Sequence, residues 1–401
     1  MATIMAEILT AVVLILVGAQ LYHYLGYPAL LWALSRLFPR PMVAAASSRP
    51  RVSLILAAYN EAPIIAAKLE NSLTLDYPDL EIVVVSDGSD DGTERVVAGF
   101  AGYGIISLHD PVRRGKGMAM NRAVAMATGD ILVFSDANAF CAPEALARLV
   151  APFCDPQVGL VSGRKTVRRF DAEGRPSALG QSDGLYWRYE SLIKQWESRL
   201  DSTVSVVGEL MAIRRALYAP VPPAVINDDA FQCLQTLRRG YRVLYEPAAM
   251  TWELPSATTR EEVVRRRRMT AGRWQLLTGG GGWPWHRPMV AFFLFSHKFL
   301  RLMLPFGMIG ALAANLALLA FPPLHPLLAT LLAGQAVFYA LAVAGLVGDR
   351  TGRHWRLPYL AYYLTESNLS ALRGLAAFLK GSQAVTWQKA QRLAPPPADA
   401  N

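Results

Sequence analysis

Residues 8–35 contain no Lys, Arg, Asp or Glu, and a helix of about 20 such residues spans the hydrocarbon core of a bilayer. Apolar segments return at about 302–321 and 327–347. The polar stretch between them must therefore fold beside a membrane. A cleaved leader would carry a basic amino-terminal region and a shorter apolar run, whereas Glu7 is the only charged side chain before this one. Arg36, Arg40, Arg49 and Arg51 follow it. By the positive-inside rule they place the next segment in the cytoplasm and the amino terminus outside. The connector FPPLHP has no Lys or Arg, while GDRTGRHWR has three arginines, so the first connector is expected outside and the second inside. A last apolar stretch at 358–379 includes Glu366, Asn368 and Arg373, which leaves a crossing and an interfacial position both open. The basic tail around Lys380, Lys389 and Arg392 favours a cytoplasmic end.

From residue 51 to about 280 the pattern changes. Short β-branched runs (VSLILAA, EIVVVS, IISLH, DILVFS) alternate with helical patterns near 62–74, near 91–101, from 116 and from 143. Strands alternating with helices of this length predict βαβ units and a mainly parallel, doubly wound sheet. After VGLVSG near 157–163 a long amphipathic stretch, LYWRYESLIKQWESRL, precedes shorter elements around VSVVGELMAIRR. This second half reads as the acceptor side.

Hydrophobic residues make up 53% of the chain and charged residues 18%, with a net charge of +9. There is no regular interleaving of basic and aromatic residues, so a nucleic-acid partner is not expected. Anionic headgroups of membrane lipids and a phosphorylated substrate account for the charge. Cys141, Cys154 and Cys233 show no CxxC spacing, which argues against a zinc site or a disulfide framework.

Three acidic stations stand where strand-like runs stop: Asp87 in VVVSDGSDDGT, Asp136 in ILVFSDANAF, and Asp228-Asp229 in VINDDAF. Ligands of open α/β sheets bind at the carboxyl ends of the strands. Asp136 and Asn138 are two apart, so extended chain turns both to one side, where oxygen ligands suit magnesium or manganese. Lys116 lies between glycines at a helix start, fit to reach diphosphate oxygens. The spacing GxxxxGK[ST] is absent, which excludes a P-loop. Each station also has a plainer reading: a turn for Asp87, a cap for Asp91, a strand end for Asp136, helix-dipole carboxylates for Asp228 and Asp229.

The segments AAYNE, SDGSDDGT, RRGKGMAMN, FSDAN, GELMAIRR, NDD and GRW occur in the order seen in inverting family 2 glycosyltransferases. The chain resembles a bacterial membrane-bound member of the exopolysaccharide, or poly-β-glycan, synthase type. The resemblance implies an α/β, GT-A-like (Rossmann-like) cytoplasmic domain at 50–282. It implies an amino-terminal transmembrane segment at 1–36, a carboxyl-terminal membrane region at 287–380 and a cytoplasmic or disordered tail at 381–401, in a multi-pass protein of the bacterial inner membrane. The implied reaction moves a sugar, with inversion, from a UDP-sugar to a growing polysaccharide or lipid-linked acceptor.

On that resemblance Tyr59, Glu61 and Asp87 hold the base and ribose, and Lys116 and Arg273 hold the diphosphate. Asp136 and Asn138 place a divalent cation (Mg or Mn), Asp229 is the general base with Asp228 the competing choice, and Trp274 stacks on the acceptor. Asn121 is carried over from the same motif. Asn138 departs from the family's Asp-x-Asp, and Thr270 from the Gln of QxxRW, which weakens any inference of processivity. Arg265 to Arg268 read first as a membrane-facing helix surface, with a catalytic role as the other reading, and His297, Lys298 and Arg301 are expected beside headgroups. Trp187, Trp196 and Trp252 fit core and sugar platform equally. Single-sugar transfer to ceramide or polyprenyl phosphate is the alternative within the class. A silent nucleotide-sugar-binding scaffold, a permease and a nucleotidyltransferase are the alternatives outside it.

Overall fold

The structure is a computed structural model that describes residues 1–41, 49–167, 179–253, 259–279, 283–323, 325–351 and 355–381. Lys389, Arg392 and the glycines at 280–282 fall outside the described residues. The amino-terminal apolar run forms α1 (Ala2–Leu21) and α2 (Tyr27–Leu37), joined by a wide π-helical turn, Tyr22–Gly26. The middle of the chain then alternates β1 (Val52–Ala58), α3 (Ala62–Leu73), β2 (Leu80–Asp87), α4 (Thr93–Ala98), β3 (Ile106–Asp110), α5 (Lys116–Met126) and β4 (Ile131–Asp136). These are the strands and helices that the apolar periodicity predicts. β5 (Ala139–Cys141), α6 (Ala145–Val150), β6 (Val158–Val167) and α7 (Leu179–Leu200) follow. β7 (Leu210–Arg214), α8 (Asp228–Arg238), β8 (Arg242–Glu253) and α9 (Thr259–Thr278) complete the domain.

All eight strands form one sheet, ordered β3-β2-β1-β4-β7-β6-β8-β5. The first four are parallel, with Leu54 of β1 registered between Ile82 and Val133. β7 runs antiparallel to both β4 and β6. Order 3-2-1-4 is the first half of a Rossmann-like sheet, and its central strands are apolar throughout because helices cover both faces. Ile65, Leu69, Leu146 and Leu149 pack on one face.

The other face carries Met120 of α5, Ile193 of α7 and Leu237 of α8, and also Tyr27, Leu31, Phe293 and Leu294. Those last four belong to apolar end segments, so the sheet and the apolar end helices share one core. After α9 come α10 (Pro288–Phe293), a second π-helical turn (Leu294–Phe299), α11 (Leu300–Ala317), α12 (Pro326–Thr351) and α13 (Arg356–Leu379). Three helices among the described residues are long and apolar enough to cross a membrane: Ala2–Leu37, Pro288–Ala320 and Pro326–Thr351. The second begins well before the expected 302, because the π-turn carries the helix through His297 and Lys298 without a break. α13 instead packs on α9, where a Cβ at Gly374 would stand 2.6 Å from the Thr270 side chain.

The two π-turns face each other. Tyr22 Oη and Ser296 Oγ are hydrogen-bonded at 2.9 Å, and His23 Nδ1 lies 3.0 Å from the Ser296 carbonyl. A π-turn widens the helix and frees backbone groups for such partners. Here it fixes the first apolar helix against the second at the level of the sheet.

Candidate active site

The loops at the carboxyl ends of β1, β2 and β3 are braced to one another. Asn60, at a left-handed φ of 53°, receives a hydrogen bond from the Asp90 N–H and donates to the Asp90 carboxylate at 2.7 Å. Asp91 accepts from the Thr93 N–H and hydroxyl and from the Ala62 N–H, so it ties the starts of α3 and α4 together, as a capping residue would. Arg113 stacks over the Tyr59 ring, 3.6 Å from its centroid.

Asp87 does not point into the crevice as expected. Its side chain is 0% exposed, and it accepts from the Gly115 N–H at 2.7 Å, the Arg114 N–H at 3.1 Å and Arg122 Nη2 at 2.6 Å. Gly115 sits at φ 96°, ψ 161°, a region nearly closed to other residues. That conformation turns its N–H down onto Asp87 and aims Lys116 upward. Asp87 thus holds the loop that presents Lys116.

A cavity of about 590 Å³ opens beside that loop. It brings together Glu61, Lys116, Asp136, Asn138, Asp228, Asp229 and Arg273. Tyr59, Asp87 and Trp274 are not on its wall. Lys116 Nζ lies 2.6 Å from Asp136 and 3.8 Å from Asp228. Burial works against the Lys116 charge, but these two carboxylates outweigh it and hold its pKa above the ordinary lysine value. Asp228 and Asp229 open α8, where the helix dipole favours anions. Burial first, and the Asp228 charge second, push the Asp229 carboxyl up to about 6.

Asn138 donates its amide to Glu253 at 3.0 Å, which leaves its amide oxygen available to the cavity. Glu253 and Glu209 both pair with Lys165 and with Arg265. The Lys165, Arg265 and Lys116 charges keep Glu209 well below the usual carboxylate range despite its burial. Beneath the Asp136–Asn138 turn, the fully buried Lys68 donates to Ser135 Oγ at 2.9 Å and to the Ala139 carbonyl. Asn121 is spent on bracing: its amide takes both the Tyr218 hydroxyl and the Val221 N–H.

Four sequence expectations need correction. Arg265 and Arg268 line the cavity rather than a membrane-facing surface; burial lowers the Arg268 pKa while Asp228, Asp229 and Asp136 pull it up. Trp274 is buried off the cavity wall, since consecutive helix residues point about 100° apart and Arg273 takes the inward direction. Asp87 is sequestered as described. Finally, His297, Lys298 and Arg301 converge on Glu190 at 3.1, 2.9 and 3.4 Å, and His297 also meets Glu197 at 2.8 Å. They dock a span onto α7 instead of anchoring headgroups. Of the tryptophans, Trp187 is on the cavity wall, Trp196 packs into the core and Trp252 stacks on Phe140 at 4.6 Å.

A 3-2-1-4 sheet, an acidic strand-end turn, a second acidic station on a helix start and flanking cations define an α/β protein of the GT-A form, seated on membrane-length apolar helices. The family model described as "Glycosyltransferase like family 2" matches residues 50–275, more than half of the chain. The chain belongs to that family.

Poly-beta-1,6-N-acetyl-D-glucosamine synthase of Staphylococcus aureus (strain COL) is 28% identical over 220 residues, 52% of this chain. The synthase of the same name from Staphylococcus epidermidis is 26% identical over 213 residues. The chain's match spans about half (50%) of the length of these curated relatives. Among solved structures, the mannosyltransferase PcManGT from Pyrobaculum calidifontis, in complex with GDP-Man and Mn2+, superposes with a TM-score of 0.69 and 28% identity. That superposition covers 92% of this chain and 99% of the other, so the likeness extends beyond the sheet to the terminal helices.

Proposed function

We propose that the protein transfers a sugar from a UDP-sugar, with inversion, to a growing glycan or lipid-linked acceptor at the cytoplasmic face of a membrane. The observation that carries this reading is the placement of Asp229, a carboxyl raised to about 6, in the same cavity as the Lys116–Asp136 pair. A general base works best with a pKa near the working pH.

Asp229 takes the proton of the acceptor hydroxyl while that oxygen attacks the anomeric carbon. The bond from that carbon to the diphosphate breaks, and the electron pair leaves with the nucleoside diphosphate. Lys116, Arg268 and Arg273 face the departing charge. No acid is needed on the leaving group.

The donor set fits a divalent cation. Asp136 already holds a cationic group, the Lys116 ammonium, and Asn138, whose amide nitrogen is engaged by Glu253, lines the same cavity. Asp136 and Asn138 would hold magnesium or manganese, which when bound supplies neutralisation of the diphosphate. Among the described residues no three acidic, His or Cys side chains converge on a metal site.

The decisive experiment is a nucleotide-release screen over UDP- and GDP-sugars, with membranes containing the protein and with added manganese or magnesium. Release from a UDP-sugar, abolished in Asp229→Asn while UDP still binds, is the expected result. Undiminished turnover in that variant would remove Asp229 from the base role, and release from no donor would overturn the enzyme reading.

A further inference from the structure

The transfer chemistry leaves one end of the cavity without a role. There α7 presents Trp187, Glu190 and Lys194 to the cavity, at spacings of three and four that share one helix face. Glu190 is accounted for by Lys298, His297 and Arg301. Lys194 is not. Its side chain is 3% exposed, and among the described residues no hydrogen bond or ion pair reaches its Nζ. Its one close partner is the face of Tyr245, 5.3 Å from the ring centroid.

A buried ammonium without a paired anion is disfavoured. Burial accordingly pulls the Lys194 pKa down, against the upward pull of Glu190, Glu209, Glu197 and Asp229. Arg273 and Lys298 line the same cavity, and so do the apolar Leu276, Leu277 and Leu294. Leu294 and Lys298 belong to the membrane-length helix Pro288–Ala320, so this wall of the cavity is continuous with a bilayer-facing element.

We infer that Lys194 forms the core of an acceptor-side anion subsite that takes the phosphate of a membrane-lipid acceptor. The phosphate is held and not consumed. The attacking atom is still the acceptor hydroxyl oxygen, its proton still goes to Asp229, and the donor's anomeric carbon–oxygen bond is still the one that breaks. The inference rests on the transfer reading for its role, but binding can be measured without turnover.

The full-length protein in detergent is titrated with decyl phosphate, decanol and inorganic phosphate while tryptophan fluorescence is followed. Decyl phosphate is expected to bind, with decanol and inorganic phosphate about tenfold weaker or worse. Lys194→Met and Lys194→Gln should each weaken decyl phosphate by about tenfold, with Lys194→Arg restoring most of it, whereas Lys116→Met should stay within about twofold of wild type. Both neutral variants remove a buried unpaired charge, so a melting temperature at or above wild type is expected. Unchanged affinity in the folded Lys194 variants, or a loss confined to Lys116→Met, overturns the subsite. Equal affinity for inorganic and decyl phosphate overturns its assignment to a lipid. Failure of every donor in the release screen would sink the transfer reading and leave this titration as informative as before.

Discussion

Asn227 and Gly272 lock two of the sequence motifs together. The Asn227 amide donates to the Met269 carbonyl at 2.8 Å, and a Cβ at Gly272 would stand 2.5 Å from the Asn227 carboxamide carbon. The start of α8, with its acid pair, is therefore set by the face of α9. Gly272→Ala should push Asn227 off Met269 and displace Asp228 and Asp229. A displacement of that kind costs about 10²-fold in kcat. Combining it with Asn227→Ser should recover part of the loss, a positive coupling readable in a double-mutant cycle. Simple additivity would separate the two residues.

The raised Asp229 carboxyl predicts an acid limb in the pH profile of kcat/KM. The base is active only when ionised, so the rate should fall as pH drops through about 6. In Asp228→Asn the neighbouring negative charge is gone, and the limb should move to lower pH. Stability carries the opposite sign. A carboxyl with a raised folded-state pKa contributes stability that is complete below its unfolded value and lost as pH rises through about 6. A limb unmoved in Asp228→Asn would deny the coupling.

Asp87 tests bracing against base reading. If it holds the Gly115 loop, Asp87→Asn should lower the unfolding free energy by about 2–4 kcal/mol, read by denaturant titration, as buried charged hydrogen bonds are lost. It should weaken UDP and GDP alike, and Arg122→Leu should do the same from a residue off the cavity wall. A loss of uracil preference at unchanged stability would return Asp87 to the base.

Lys68 supports the turn that carries Asp136 and Asn138 without lining the cavity. Lys68→Met should raise the half-saturating concentration of manganese or magnesium by about tenfold. The acid limb set by Asp229 should stay in place. An equal shift in both quantities would mean general damage to the fold.

How much of this was legible follows from where each side chain finds its partner. β1, β2 and β4 are central and covered on both faces, so each reads as one apolar run. β8 escapes notice because its middle, Glu246–Pro247, interrupts that signal. Arg265 and Arg268 look like a solvated face, since nothing local says otherwise. Their carboxylate surroundings come from Glu209, Glu253 and the α8 start. One clue was present: with Arg273 inward, helical spacing puts residues 265, 269, 276 and 277 on the same side and Trp274 off it. His297 and Lys298 could not be read from their neighbours at all, because their anions lie on α7, more than ninety residues earlier.

The buried cluster on α7 sets a limit on how this protein can be divided. Glu197 accepts from Tyr27 Oη at 2.7 Å and is met by His297, while Glu190 depends on Lys298 and Arg301. Both carboxylates lie inside the family-matched segment 50–275, and all four of these partners lie outside it. A fragment trimmed to residues 50–275 would lose these four partners and the apolar cover that Tyr27, Leu31, Phe293 and Leu294 give this face. The family-matched segment is thus smaller than the smallest piece of this chain that can be expected to stand by itself.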